Sequence, residues 1–380
     1  MVEAAHAFLA PSSASRWGPD GCAASPTLEA MYPEDTESPA AREGTAAHFY
    51  VTETLSGRAV AIGNLAPNGH PIDQEMIDCG YDFIRDVQDT VKAVNNGILK
   101  IESRVYATNV VHPDNWGTPD AYLCEKFRRT LHVWDYKYGH RYVDAFGNWQ
   151  LIDYCAAILE TEGVPIEEWP HWKITTTIAQ PRNYHPDGPL REWFFNGAQL
   201  AERVVRLRAA ALAARSPNAP YTTGEHCRDC LGRHACPALQ RVVMGLVDLS
   251  LTGQPVDLPP LALGLELRII RAAMKRLGAR ATGLEEAALA AMRSGTDIPH
   301  WRAEYSKGRE KWKEGTPIAE IVTLGEIYGV ELLKPPAAIT PAQARKAGVD
   351  TEIVKAYSDT PRGAMALVPF DDADIAKRFS

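Results

Sequence analysis

The chain has 380 residues, 45% hydrophobic and 23% charged, proportions that exclude collagen-like, coiled-coil and wholly disordered proteins. It contains no apolar run long enough for a transmembrane helix, no Lys or Arg in Met1–Pro11, and an odd count of seven cysteines. A membrane span, a secretory leader and a disulfide scaffold are therefore not expected, and a cytoplasmic protein is. Net charge is −8, from 40 Lys and Arg against 48 Asp and Glu, so only local motifs can argue for nucleic acid.

In chain order, the first forty residues are rich in Pro, Ser and Ala and predict a loose lead-in with one short helix near 11–17. Residues 43–55 read as a helix. So do residues 72–94, where Ile72, Met76, Ile77, Ile84, Val87, Val91 and Val94 recur at three- and four-residue spacing. Strands are expected over 99–107, 120–127 and 130–137, then a helix over 149–162. Strands over 172–180 and 190–195 and a helix over 198–214 follow. This order predicts an α/β fold with a mixed central sheet flanked by helices. Past a cysteine cluster at 227–236, residues 253–260 read as a linker. The chain then divides into a domain of residues 1–252 and a mainly helical accessory region of residues 253–380, which opens on a helix over 266–292.

The chemistry concentrates in Gly117-Thr118-Pro119-Asp120, in Asp135-Tyr136-Lys137, and in Gln150 with Tyr154. Side chains alternate along a strand, so Asp135 and Lys137 share a face. Asp120 meets Asp135 if the two strands form a hairpin around Phe127–Arg129. Two carboxylates brought together repel, and they are stable mainly around a divalent cation. A lysine beside that cation can orient a water or offset charge developing on a phosphate. Gln150 and Tyr154, four apart, share one helix face. An Asp-x-Lys on a surface strand is ordinarily just an ion pair. Here its apolar surroundings, Val133, Trp134 and Tyr136, are those of a central strand, where uncompensated charge is costly. His48 follows Gly44-Thr45-Ala46-Ala47, a small-residue run that lets a helix backbone approach a sheet.

Cys227-x-x-Cys230 with Cys236 has metal-ligand spacing and leaves one ligand to find. Zinc could complete a local site with His226 or His234. An iron–sulfur cluster would want a fourth thiolate, for which Cys22 is a candidate. The residues alone leave both open. Cys79, Cys124 and Cys155 lie in apolar patterns and read as core. A zinc-deaminase site is rejected, because no Pro precedes Cys227 and no matching His-x-Glu occurs. In the tail, Arg302, Lys307, Arg309, Lys311 and Lys313 interleave with Trp301, Tyr305 and Trp312. That pattern suits a nucleic-acid strand, and equally a solvated hairpin.

Taken together, Gly44 with His48, Gly117 with Asp120, Asp135-Tyr136-Lys137 and Gln150 with Tyr154 resemble the RecB-like branch of the PD-(D/E)XK nucleases. The wording of Ser12–Trp17, Asp135–Gly139 and Gly147–Leu151 is similar to a phage- and prophage-borne subfamily. The likeness covers roughly residues 6–240. It implies a restriction-endonuclease-like fold in which His48, Asp120, Asp135 and the Tyr136 carbonyl bind Mg²⁺ or Mn²⁺. Lys137 would be the catalytic lysine, with Gln150 and Tyr154 steadying the site; Glu102 reads equally as an additional carboxylate near the metal or as an edge-strand surface residue. It also resembles in pattern the AddB nuclease domain and the CRISPR-adaptation nucleases, which pair one early cysteine with three late ones. That implies a [4Fe-4S] cluster on Cys22, Cys227, Cys230 and Cys236, with zinc as the alternative. The activity implied is a deoxyribonuclease, an exonuclease processing DNA ends in phage recombination or repair. The setting implied is the bacterial host cytoplasm, with DNA and a phage single-strand annealing protein as partners and no membrane. The rival expectation is a non-catalytic DNA-binding adaptor that retains the fold and the cluster.

Overall fold

The computed structural model describes residues 7–32, 38–94, 97–183, 188–242 and 259–307. It also describes 311–313, 316–330, 332–334, 337–338, 341–346, 348–359 and 362–369. The chain forms two compact units, Met1–Leu284 and Glu285–Ser380. The linker expected at residues 253–260 lies outside the described residues up to 258.

The first unit is built on five strands: β1 (Ile98–Ile101), β4 (Ala121–Glu125), β5 (Thr130–Tyr136), β6 (Lys173–Ala179) and β7 (Leu190–Asn196), adjacent in that order. The β5–β6 pair is parallel and the others are antiparallel, so the sheet is mixed and the fold is α/β. Strands β2 (Val105–Tyr106) and β3 (Trp116–Gly117) pair separately. The single strand expected over 99–107 is therefore broken. The break falls at Glu102, whose φ of 45° is incompatible with an extended strand.

Helices cover both faces. One face packs α3 (Pro39–Leu55) and α4 (Gln74–Ala93), burying Ala46, Ala47, Met76, Phe83 and Val87 against Leu123, Trp134 and Tyr136. The other packs α5 (Trp149–Thr161) and α6 (Gly197–Ala214), burying Leu151, Ile152, Leu200 and Leu207 with Leu131, Val133, Ile174 and Ile178. The period-2 pattern of β5 decides which residue meets which layer: Val133 and Asp135 look toward α5, Trp134 and Tyr136 toward α3. Cys155 is buried in the α5–α6 layer, Cys124 packs half-buried against that layer, and Cys79 packs half-buried against the α3–α4 layer.

The lead-in is less loose than its composition predicts. Helices α1 (Ala14–Trp17) and α2 (Ser25–Glu29) form, and Leu9, Ala14 and Trp17 are fully buried. The Trp17 indole donates to the Ala10 carbonyl at 3.0 Å. Two large apolar anchors outweigh a turn-rich composition, because their burial offsets the entropy of ordering the segment.

The second unit is described in pieces. The long helix Pro260–Arg293 belongs to the first unit as far as Leu284; beyond it, strand Trp301–Lys307 pairs with Arg362–Pro369, and Lys311–Trp312 with Ser358–Asp359. Helices Ile318–Tyr328, Pro341–Lys346 and Thr351–Tyr357 enclose a small core of Ile321, Leu324, Leu332 and Val354.

Candidate active site

Residues at the start of β4, the end of β5 and the first turns of α5 meet at one end of the sheet. The register Ala121↔Trp134 sets Asp120 beside the end of β5, and Asp120 Oδ2 accepts the Tyr136 N–H at 2.6 Å. Asp135 is buried; its carboxylate lies 2.9 Å from Lys137 Nζ. Gln150 braces the pair, donating from Nε2 to Asp135 Oδ1 at 2.7 Å and accepting from Lys137 Nζ at 3.2 Å. It can do so because Asn148 caps α5, accepting from the Gln150 and Leu151 N–H groups and fixing where the first turn begins. One turn on, the Tyr154 hydroxyl donates to the Thr118 carbonyl at 3.1 Å. Gly117 makes that approach possible: a Cβ there would stand 2.8 Å from Pro11 and 3.0 Å from the Tyr154 ring.

From the opposite layer, α3 brings His48 Nδ1 to 3.4 Å from Asp120 Oδ1. The fully buried Ala46 and Ala47 let this helix sit close to the sheet. His48, Glu102 and Asp120 each offer a ligand atom within 4.8 Å of the others. Among the described residues, no other group of three or more His, Cys, Asp and Glu is gathered that tightly.

The electrostatics follow from this crowding. Burial holds Asp135 above the usual carboxylate range, with Asp120 adding to it and Lys137 opposing. Burial also opposes ionisation of Asp120, but His48 and Lys137 outweigh it and hold that carboxyl low. Desolvation works against charge on His48 and Lys137, yet Asp120 raises the first and Asp135 with Asp120 the second. Glu102 is pushed up to about 7 by desolvation and by Asp120; its residue is exposed, so solvent offsets part of that push. A group of carboxylates that repel, one protonating near neutrality, is the donor set a hard divalent cation relieves.

The cleft in front of this cluster is wide and polar. Its walls include Ser12 and Arg16 from the lead-in, Arg141 from the segment after β5, and Arg228 and Arg233 from the cysteine loop. Gln180, almost fully buried, pins the segment after β5 by donating to Gly139 and Arg141 carbonyls and accepting the Val143 N–H at 3.0 Å. These arginines and Gln180 were not singled out in the sequence. The signal available was Arg228 and Arg233 standing inside the Cys227–Cys236 spacing.

The four cysteines also converge. Cys22, Cys227, Cys230 and Cys236 are buried and line one small cavity with His226. The lead-in is tied there by Ala24 N–H to the Pro220 carbonyl at 3.3 Å and by Thr222 N–H to Cys22 Sγ at 3.4 Å. Burial opposes ionisation of Cys22 and Cys227, but hydrogen bonds from His226 outweigh it and hold both thiols low. Burial, with Glu29, pushes the Cys230 thiol up to about 12.

The tail cations stand differently. Arg302 pairs with Glu304 at 2.7 Å, and Lys313 Nζ donates to the Ala356 carbonyl. Arg309 and the side chains of Lys307 and Lys311 lie outside the described residues. No helix among the described residues is long and apolar enough to cross a membrane.

A family model described as "Protein of unknown function (DUF2800)" matches residues 6–374. The chain belongs to the DUF2800 family. Both the carboxylate cluster and the cysteine cavity of this DUF2800 protein lie inside the matched range. Among solved structures, one described as "Crystal structure of SSO0001" is similar at 16% identity, over 43% of this chain and 71% of its own, with a TM-score of 0.25. A likeness that slight carries no argument.

Proposed function

We propose that the chain is a divalent-metal-dependent deoxyribonuclease of the RecB-like PD-(D/E)XK kind. The observation that carries the reading is the convergence of Asp120, Asp135, Lys137 and Gln150 at one sheet end, with His48 and Glu102 closing on Asp120. The donor chemistry fits Mg²⁺ or Mn²⁺, which His48, Asp120, Asp135, Glu102 and the Tyr136 carbonyl would hold. A cation there would neutralise phosphate charge and make a nearby water a stronger nucleophile.

The chain's own residues then have separable tasks. Lys137, kept charged by Asp135 and Asp120, presents an ammonium toward the negative charge that grows on a phosphate. Gln150 holds that ammonium and the Asp135 carboxylate in one geometry. Tyr154 fixes the turn that delivers Asp120. The resemblance further supports an exonuclease acting on DNA ends in phage recombination or repair, in the host cytoplasm beside a single-strand annealing protein. The interleaving of basic and aromatic residues in the tail separately supports strand contacts by Arg302, Lys307, Arg309, Lys311 and Lys313.

The same reading assigns a [4Fe-4S] cluster to Cys22, Cys227, Cys230 and Cys236. The spacing supports it over zinc. Ligands of one zinc ion stand about 3.8 Å apart, given Zn–S bonds of about 2.3 Å. No three of these thiols and the His226 imidazole come within 4.8 Å of one another. All four thiols border that one cavity, which is the donor number such a cluster takes.

The deciding experiment is degradation of end-labelled DNA in Mg²⁺ or Mn²⁺. The wild-type chain should degrade it, and Asp120→Ala and Lys137→Ala should lose at least a hundredfold in rate while remaining folded, on the scale of removing one charge-stabilising group. Cleavage by Asp120→Ala at the wild-type rate would remove the metal-site assignment. Metal-independent DNA binding without any cleavage would favour the adaptor reading.

A further inference from the structure

We infer that the groove between the helix Pro260–Arg293 and the cysteine loop seats the phosphate backbone of the DNA strand that occupies the cleft. This rests on the nuclease reading above and adds a second contact surface to it.

The chain carries a net charge of −8, yet Arg268, Arg271, Lys275 and Arg276 line one concavity together. The acidic residue lining it is Glu225, and Lys275 already pairs with it. Arg268 and Arg271 are exposed and, with Arg276, have no ionic partner among the described residues. Positions 268, 271 and 275 fall on one helix face, neighbours spaced roughly 5–6 Å apart. Like charges held in a row repel, and a run of phosphates is the ligand that turns that repulsion into attraction.

The groove is tied to the cleft by the loop between them. Gly224 and Glu225 border the groove, whereas Arg228, Leu231 and Arg233 of the same loop border the cleft. Arg228 is exposed and has no ionic partner among the described residues. The helix is fixed against that loop. Ala279 is buried with Cys227, Cys230 and Cys236, and Arg280 donates to the His234 carbonyl. Gly283 allows the contact, since a Cβ there would stand 3.0 Å from the His234 nitrogen. A strand crossing this loop from the cleft would meet Arg228 first and the helical row next.

The test is the salt dependence of DNA binding by the full chain, in EDTA, with a labelled duplex bearing a single-stranded overhang. A variant carrying Arg268→Gln, Arg271→Gln, Lys275→Gln and Arg276→Gln should bind more weakly. Its slope of log affinity against log salt should be shallower by about three units, near one for each of Arg268, Arg271 and Arg276, since Lys275 is already paired with Glu225. Arg268→Gln with Arg271→Gln, both on the surface, should cost about two units and serves if the fourfold variant does not fold. An unchanged slope in the double variant overturns the groove and leaves the nuclease reading standing. Failure of the wild-type chain to bind DNA overturns the groove whether or not it cleaves. Binding with the expected slopes but no metal-dependent cleavage strikes the nuclease reading alone.

Discussion

The Glu102 N–H donates to the Asp120 carbonyl at 3.1 Å, and it does so from a left-handed backbone conformation with φ at 45°. The β1–β4 ladder is thereby extended by one bond past Ile101↔Ala121 while the Glu102 side chain is turned out of the strand. The turn sets its carboxylate beside His48 and Asp120. A non-glycine residue in this region stores strain of about 1–2 kcal/mol, and here the stored strain delivers a candidate ligand.

Separating strain from ligation gives a first prediction. Glu102→Gly should raise thermal stability by up to about 1 kcal/mol, because glycine adopts this φ freely though it loses more chain entropy on folding. It should also weaken Mn²⁺ binding, followed calorimetrically. Glu102→Gln should weaken Mn²⁺ binding without the gain in stability. Wild-type Mn²⁺ affinity in both variants would remove Glu102 from the ligand set.

The cysteine cavity makes a second. Protein purified without air should contain iron and sulfide and absorb visible light. Cys22→Ala should lose colour and thermal stability together, since Cys22 ties the lead-in to the loop after α6. His226→Ala should keep the iron. Zinc without iron, retained in Cys22→Ala and lost in His226→Ala, would replace the cluster with a local zinc site.

Asp153 supplies a third, on stability against pH. It is fully buried on α5, where its Oδ2 accepts from Asn115 Nδ2 at 2.8 Å while Asn115 also holds the Leu9 carbonyl at 2.9 Å. Burial pushes its carboxyl up to about 8, with the Asn115 hydrogen bond opposing. The folded chain therefore holds this proton more tightly than the unfolded chain. Stability from this group is complete below pH 4 and declines as pH rises toward 8. The loss across that window is about 6 kcal/mol as an upper bound, at about 1.4 kcal/mol per pKa unit. Asp153→Asn, which keeps an acceptor facing Asn115, should flatten the decline in urea-melt stability between pH 5 and pH 8. An undiminished decline would place its origin elsewhere.

Periodicity and local chemistry made much of this protein legible from its residues. The repeat of Met76, Ile84 and Val87 marks α4, and alternation along residues 130–137 marks β5 and puts Asp135 and Lys137 on one face. Pairing of β4 with β5 follows from the short turn around Phe127–Arg129, since a tight turn leaves antiparallel neighbours little choice. Those are local properties, set by side-chain spacing and by a few bonds of backbone.

Other features were invisible for a physical reason: they depend on which distant surfaces close over one another. The break at Glu102 is imposed by its neighbours, because glutamate has no preference for positive φ. The order of the lead-in depends on Trp17 and Leu9 finding a pocket made by later elements. Arg16, Arg141 and Arg228 look like scattered surface charge in the sequence and share a cleft only once three distant segments converge. The sequence by itself determined the α/β elements, their faces and the Asp, Lys and Cys residues held out for chemistry, because spacing along a strand or helix is a one-dimensional property. Tertiary structure alone decided that Glu102 joins His48 and Asp120, and that the cysteine loop borders both the cleft and a basic groove. Those outcomes are set by packing between segments far apart in the chain, and no local spacing encodes them.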